Sequence, residues 1–134
     1  MTVIHSQINV LDDDFAKNRQ AMLQALTEFR DIEKLVLAKA QAAQEKFHKK
    51  DKLLPRERLN LLLDPSSSFI ELCSLAGYKM HDDKDGSEAG GGIIAGIGFV
   101  SGVRCVIQIN NSAIKGGTIS PTGLEKTLRL QQIA

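Results

Sequence analysis

Residues 93–118 read IIAGIGFVSGVRCVIQINNSAIKGGT, and this stretch decides the fold. Two runs rich in β-branched residues, 93–100 and 103–109, are separated by a Ser-Gly pair, which is the pattern of a β-hairpin. The second run continues into a glycine loop with one lysine, and a helix is predicted from about Pro121. A strand, a glycine loop with a lysine and a helix, in that order, place backbone N–H groups and a cation where an anionic ligand can bind.

The composition limits the classes of protein that need to be considered. A chain of 134 residues is long enough for one domain with a normal core. Charged residues make up 25%, the net charge is +1 and aromatic residues make up 4%, so no nucleic-acid partner is indicated. Cys73 and Cys105 are too few for a disulfide scaffold or a four-cysteine zinc site, and we expect both to be buried thiols in a reducing compartment.

The start of the chain and its apolar runs bear on location. No apolar run has the length of a membrane span, so no membrane partner is expected. Residues 1–10 lack the basic start and apolar block of a signal peptide. The acidic residues 12–14 follow at once, which is unlike a transit peptide. The sequence predicts a bacterial cytoplasmic protein, and the mitochondrial matrix is the less favoured location.

A long helix is predicted from about Asp14 to Lys50, because acidic residues start it and basic residues end it. Its apolar stripe contains Met22, Leu26, Phe29, Val36, Ala40, Ala43 and Phe47. This stripe fits two interpretations, a helix that clasps a partner subunit and a helix that packs on its own domain. The basic run 49–52 is interpreted as a solvated helix end.

A second helix is predicted within residues 53–65, with Pro55 at its first position and Leu59, Leu62 and Leu63 buried. Its Arg56, Glu57 and Arg58 could bind a phosphate, but such clusters more often form structural ion pairs, and we favour that reading. A short strand follows at 69–73.

Two further motifs are tested against ligand chemistry and rejected. Residues 81–88 contain a histidine beside acids, but nothing aims these side chains at a metal, so an exposed loop and no metal site are predicted. Gly96 and Gly98 lie inside a β run and lack the third glycine of the dinucleotide fingerprint. Glycines in a strand more often mark a close approach of neighbouring groups.

The last helix, from about Pro121, is expected to bury Leu124, Leu128 and Ile133 and to expose Lys126. The sequence stops within this helix without a capping residue, so further residues are expected beyond Ala134. Spacing alone therefore predicts an α/β unit with a candidate anion-binding loop. The spacing of the residues indicates no catalytic triad, metal cluster or carboxylate pair.

From Lys52 onward the sequence resembles the start of the carboxyltransferase (β) subunit of biotin-dependent acyl-CoA carboxylases. The motifs that carry the resemblance are Lys52–Arg58, Leu62–Pro65, Ala95–Gly98, Val100–Gly102 and Lys115–Thr118. The form of the last motif is most similar to methylcrotonoyl-CoA and geranyl-CoA carboxylases. Residues 119–123 depart from the aromatic-rich segment of the methylcrotonoyl type, which favours geranyl-CoA, and the lack of four cysteines departs from zinc-ribbon acetyl-CoA carboxylases.

The resemblance implies a crotonase-like (ClpP/crotonase) β-β-α spiral, incomplete here, preceded by a long helical arm. Residues 1–51 would form the arm and residues 52–134 the first part of the N-terminal carboxyltransferase domain. The implied activity is that of a carbon–carbon bond-forming ligase of degradative metabolism. It transfers the carboxyl group of carboxybiotin to geranyl-CoA or 3-methylcrotonoyl-CoA.

The resemblance also implies a site and partners. Lys115, Gly116 and Gly117 would form the edge of the acyl-CoA site or, alternatively, a tight turn with a solvent-facing lysine. Lys115 would bind a CoA phosphate and take no part in proton transfer. No residue of the chain is assigned a catalytic role, because the catalytic groups are expected beyond Ala134. Biotin would be carried by a partner α subunit, and the β subunits would form a homo-oligomer.

Three alternatives stay open from the sequence. They are a propionyl- or acetyl-CoA-type carboxyltransferase, another crotonase-family acyl-CoA enzyme, and a non-catalytic assembly module. A fragment limited to these residues is expected to be inactive by itself.

Overall fold

The computed structural model describes residues 3–81 and 83–134. The elements in chain order are α1 (Asp13–Gln41), α2 (Gln44–His48), α3 (Pro55–Leu62), β1 (Ile70–Glu71), β2 (Ile93–Val100), β3 (Val103–Asn110) and α4 (Pro121–Ile133). A 3-10 turn, Lys115–Gly117, lies between β3 and α4. The α/β class and the predicted strand, loop and helix order are confirmed.

The chain divides into two units, Met1–Asp31 and Ile32–Ala134. The described part of the first unit contains the first two-thirds of α1, and its apolar residues Met22, Leu26 and Phe29 are exposed. The second unit contains the remaining elements and the buried core. The division lies within α1.

In the hairpin, β2 has the predicted limits and β3 ends one residue later than predicted, at Asn110. β2 and β3 pair antiparallel from Val100↔Val103 down to Ile93↔Asn110, and β1 pairs with the other edge of β2. Ser101 and Gly102 both have positive φ angles, 51° and 75°, as a two-residue hairpin turn requires. The Asp64 carboxylate fixes this turn by accepting hydrogen bonds from both backbone N–H groups, at 2.6 and 2.7 Å.

The sheet carries a helix on each face. On one face Leu59 of α3 packs against Ile94 and Ile107, and on the other Leu130 of α4 packs against Ile93 and Ala95. Alternate residues of β2 therefore enter different clusters, as the two-residue period of a strand dictates.

Gly96 and Gly98 confirm the interpretation that glycine in this strand permits close approach. A Cβ atom on Gly96 would lie 2.4 Å from the Ile70 carbonyl oxygen and 2.4 Å from the Phe69 ring. A Cβ atom on Gly98 would lie 2.5 Å from a Leu63 methyl carbon. Both positions therefore accept only glycine without rearrangement of their neighbours.

The single helix predicted from 14 to 50 is wrong, because α1 ends at Gln41 and α2 starts at Gln44. Ala43 N–H donates to the Ala40 carbonyl, a three-residue spacing at the break. On α2, Gln44 and His48 both contact the Glu57 carboxylate of α3, at 3.5 and 3.1 Å. Because this contact joins two different helices, no local sequence pattern predicts it.

Three burial predictions are also wrong. Leu62 is exposed whereas Leu59 is buried, and Cys73 is an exposed thiol, with Cys105 partly buried. Within the supposedly exposed loop 81–88, Asp83 and Ser87 are buried. Asp83 accepts hydrogen bonds from the backbone N–H groups of Lys79 and Glu88, so its carboxylate organises the loop.

The buried face of α4 is the opposite of the predicted one. Leu124, Leu128 and Ile133 are exposed, whereas Lys126 and Leu130 are buried. No helix among the described residues has both the length and the apolar content needed to cross a membrane.

Candidate functional site

The loop after β3 is positioned by a hydrogen bond to Gly92, just before β2, by a hydrogen bond within the loop and by one buried anchor. Asn111 N–H donates to the Gly92 carbonyl at 2.8 Å, and Ile114 N–H donates to the Asn111 carbonyl at 3.0 Å. The Ile114 side chain is 2% exposed and packs with Val36 and Ala40 of α1. The three residues that follow, Lys115, Gly116 and Gly117, are thereby held at the end of the sheet.

The backbone of the glycine pair is left-handed and open on one side. Gly116 and Gly117 have φ angles of 66° and 87°, and Lys115 has a φ angle of 49°. Apart from Gly116 and its two chain neighbours, no atom of the described residues lies within 4 Å of the position that a Cβ atom on Gly116 would occupy, whereas Gly117 lies against Ser112. A ligand can therefore approach the backbone at Gly116 without meeting a side chain.

The structure brings Lys115 to an acidic residue that the sequence analysis did not select. The Lys115 ammonium lies 2.5 Å from Glu88 Oε2, and the Lys39 ammonium lies 2.6 Å from Glu88 Oε1. Lys39 also donates to the Ser87 hydroxyl at 2.9 Å. Burial raises the pKa of Glu88, but the hydrogen bonds from the two lysines outweigh burial and hold that pKa below its ordinary value.

This Lys39–Glu88–Lys115 cluster joins α1 to the glycine loop. No sequence pattern indicates it, because its members are separated by 49 residues between Lys39 and Glu88 and by a whole hairpin between Glu88 and Lys115. The cluster holds two ammonium groups against one carboxylate, so an anionic ligand meets a net positive charge there.

A narrow cleft lies beside the cluster. Its volume is about 30 Å³, and Glu88, Gly91, Lys115, Thr118 and Ser120 are among the residues that line it. This volume suits one or two water molecules. The cleft is therefore too small for an acyl chain or a nucleotide.

A larger basic groove borders the glycine loop at Gly116. It has a volume of about 230 Å³ and is lined by Lys46, Phe47, Lys50, Lys52, Ser112 and Gly116. The sequence alone does not predict this groove, because the lysines of a basic run at a helix end are usually exposed to solvent.

On α3, Arg56 and Glu57 form structural contacts, as predicted, whereas Arg58 is exposed. Arg56 binds the Glu71 carboxylate of β1 through two hydrogen bonds of 2.9 Å. Glu57 accepts from the Leu54 N–H at 2.7 Å and from His48, and in that order these contacts lower the pKa of Glu57. Among residues 3–81 and 83–134, no group of three or more histidine, cysteine, aspartate or glutamate side chains is arranged to hold a metal.

The arrangement can therefore bind an anion at the glycine loop. The described residues supply two lysine clusters and an open backbone, and the acid nearest the loop is already committed to two ammonium groups. Such a set suits the recognition of a phosphate group better than proton transfer.

Known proteins are similar to this chain over the same region. The family model described as the carboxyl transferase domain matches residues 46–134. Over 121 residues the chain is 42% identical to a protein of Arabidopsis thaliana named methylcrotonoyl-CoA carboxylase beta chain, mitochondrial, covering 90% of this chain and 20% of that one.

Two solved structures are also similar. The beta subunit of P. aeruginosa geranyl-CoA carboxylase superimposes with a TM-score of 0.87 at 62% identity, covering 99% of this chain and 25% of that chain. Transcarboxylase 12S, at a TM-score of 0.70 and 23% identity over 84% of this chain and 22% of that chain, shares the fold. The chain thus spans a fifth to a quarter of the length of these proteins.

Proposed function

The chain belongs to the carboxyl transferase domain family and has its crotonase-like α/β fold, and from this premise we propose that it forms part of the carboxyltransferase component of a biotin-dependent acyl-CoA carboxylase. The observation that carries the proposal is the 62% identity to the geranyl-CoA carboxylase beta subunit over 99% of the chain. The glycine loop with its lysines supports it as a place for the phosphates of CoA.

The proposed substrate is a branched unsaturated acyl-CoA, geranyl-CoA in preference to 3-methylcrotonoyl-CoA. The identity to the geranyl-CoA carboxylase subunit is 62%, against 42% to the Arabidopsis methylcrotonoyl-CoA carboxylase subunit. Residues 119–123 lack aromatic side chains, in line with the same preference. In such a substrate, a base outside this chain would accept the proton of the γ carbon, and the resulting dienolate would attack the carbon dioxide released from carboxybiotin to form the new carbon–carbon bond.

Biotin is assigned to a partner subunit in this proposal, where it would supply the carboxyl group. The described residues of this chain offer one fitting feature for the acyl-CoA substrate, the open backbone at Gly116 beside lysine side chains. We assign Lys115, Gly116 and Gly117 to the edge of the CoA site, and we assign no residue of the chain to proton or carboxyl transfer.

The remaining assignments follow from the same premise. Residues 1–51 would be a helical arm and residues 52–134 the first part of the carboxyltransferase domain, in a homo-oligomer of β subunits joined by biotin-carrying subunits. The exposed apolar residues of α1, among them Met22, Leu26 and Phe29, suit burial in such an assembly. A bacterial cytoplasm remains the proposed location.

The test is carboxylation by the intact subunit that carries these residues, assembled with a biotin-carrying subunit. ATP-dependent incorporation of labelled bicarbonate is measured with geranyl-, 3-methylcrotonoyl-, propionyl- and acetyl-CoA. We expect the highest kcat/KM with geranyl-CoA and no incorporation when the biotin-carrying subunit is omitted. Carboxylation of propionyl- or acetyl-CoA alone would contradict the substrate class, and carboxylation of none of the four would contradict the function.

A further inference from the structure

We propose that Lys46, Lys50 and Lys52 bind the phosphate groups at the nucleotide end of the acyl-CoA, in the groove that Gly116 borders. This inference rests on the proposed function, and it assigns phosphate recognition to residues outside the Lys115–Gly117 loop. It concerns the basic groove, which has a volume of about 230 Å³.

The backbone around α2 directs the three lysines to one place. The Phe47 carbonyl accepts hydrogen bonds from Lys50 N–H at 3.0 Å and from Lys52 N–H at 3.1 Å, so the chain winds back on itself after the helix. Asp51 completes this turn with a φ angle of 52°, in the left-handed region. As a result, Lys46, Lys50 and Lys52 all line the groove although they span seven positions of the sequence.

The charges of these three side chains are available for a ligand. Within the described ranges 3–81 and 83–134, the ammonium groups of Lys46, Lys50 and Lys52 form no ion pair or hydrogen bond, and all three residues are exposed. Two neighbouring lysines differ: Lys49 lies 3.7 Å from Glu45, and Lys115 is bound to Glu88. Three like charges around one groove repel each other, and a phosphate group relieves that repulsion.

The other walls of the groove suit a nucleotide. Gly116 has no side chain, and the described residues beyond its chain neighbours place no atom within 4 Å of its Cβ position, so a phosphate can come close to its backbone. Phe47 is partly buried and adds an aromatic surface beside the lysines, which is the kind of surface on which a base stacks. A free inorganic phosphate shares the anionic chemistry but would gain nothing from Phe47.

The experiment measures binding of CoA and of pantetheine to the intact carboxylase by calorimetry at low salt. The variants are Lys46→Ala, Lys50→Ala and Lys52→Ala, and the matched control is Lys49→Ala, which removes the same charge from the adjacent position outside the groove. We expect each groove variant to weaken CoA binding by about tenfold, as loss of a charge-assisted phosphate contact implies. Pantetheine, which has no phosphate, should bind all variants equally.

Several results would overturn the inference. One such result is groove variants that bind CoA as tightly as the unmodified protein does. Another is a Lys49→Ala variant that loses as much CoA affinity as Lys50→Ala. Inorganic phosphate binding as tightly as CoA would identify a free-anion site instead. Carboxylation with unchanged CoA affinity in the variants would remove this inference and leave the proposed function standing. If CoA binding depended on these lysines but no acyl-CoA were carboxylated, the proposed function would be contradicted and the CoA-binding role of the lysines would stand.

Discussion

At the scale of single residues, Glu88 determines how the candidate loop is held. Its carboxylate receives the ammonium groups of Lys39 and Lys115, from α1 and from the glycine loop. The loop is thus attached to the helix through a charge as well as through the buried Ile114. Loss of that charge should loosen the loop and lower the free energy of unfolding.

This attachment predicts a pH dependence. The pKa of Glu88 in the folded protein lies below its ordinary value of 4.5, so the unfolded state binds more protons in this range and stability falls as the pH falls through it. Glu88 therefore contributes stability that is present above pH 4.5 and is lost below it. In chemical denaturation measured from neutral pH to below pH 4.5, the free energy of unfolding should fall less for Glu88→Gln than for the unmodified protein.

Glu57 and Asp85 also have lowered pKa values and share the acid loss, so only the difference between the two proteins reports on Glu88. Glu45→Gln is the matched control, because the Glu45 side chain is 89% exposed in its pair with Lys49. An acid profile of Glu88→Gln that is identical to those of the control and the unmodified protein would contradict this account.

Lys126 shows why one residue could not be placed from the sequence. Its ammonium donates to the carbonyl groups of Cys73, Gly90 and Ile93, at 3.0, 3.3 and 2.8 Å. Burial lowers the pKa of this lysine. A hydrophobic pattern assigns a lysine to the solvent, whereas here three carbonyl oxygens from distant segments satisfy it. Without knowledge of those segments, the buried face of α4 could not be predicted.

At the scale of elements, local sequence determines the limits of the hairpin strands and the start of α4, but it does not determine which face of α4 is buried. The limits of β2 and β3 follow from β-branched runs and a Ser-Gly turn, which are local signals. The start of α4 is local as well, since Ser120 accepts from Gly123 N–H at 3.0 Å and Pro121 occupies the first turn. The break between α1 and α2 is accompanied by contacts of α2 with Glu57 of α3, whereas Asp83 orders loop 83–88 through the nearby N–H groups of Lys79 and Glu88.

The contact between α4 and the Gly90–Gly92 segment gives a stability prediction. A Cβ atom on Gly123 would lie 2.2 Å from the Gly91 carbonyl oxygen, and the Ser120 hydroxyl donates to that same oxygen. Gly123→Ala should therefore destabilise the protein by about 1–3 kcal/mol through overpacking. A helix interior alone would favour alanine over glycine by about 1 kcal/mol, so the sign of the change tests the contact.

Thermal and chemical unfolding of Gly123→Ala measure this change. Glu125→Ala serves as the control, because it lies two positions further along α4 and is exposed, and we expect it to stay within about 0.5 kcal/mol of the unmodified protein. Stabilisation of Gly123→Ala would mean that α4 does not lie against Gly91 as described.

At the scale of the whole molecule, the sequence predicted the α/β class and the location of the glycine loop, and its resemblance to a family supplied the expected activity. The basic groove and the Lys39–Glu88–Lys115 cluster were beyond sequence reasoning, because each joins segments on either side of the hairpin. The packing of the Met22, Leu26 and Phe29 side chains against protein stays a prediction, with Met22 61% and Phe29 41% exposed in this chain.

We propose that the intact subunit that carries this chain binds CoA at the glycine loop. Hydrogen–deuterium exchange of the intact subunit, with and without CoA, tests that claim most directly. We predict slower exchange on CoA binding at residues 112–118 and 46–52, and no change in α3 (Pro55–Leu62), none of whose residues lines the groove. CoA binding with unchanged exchange at residues 112–118 would contradict the account.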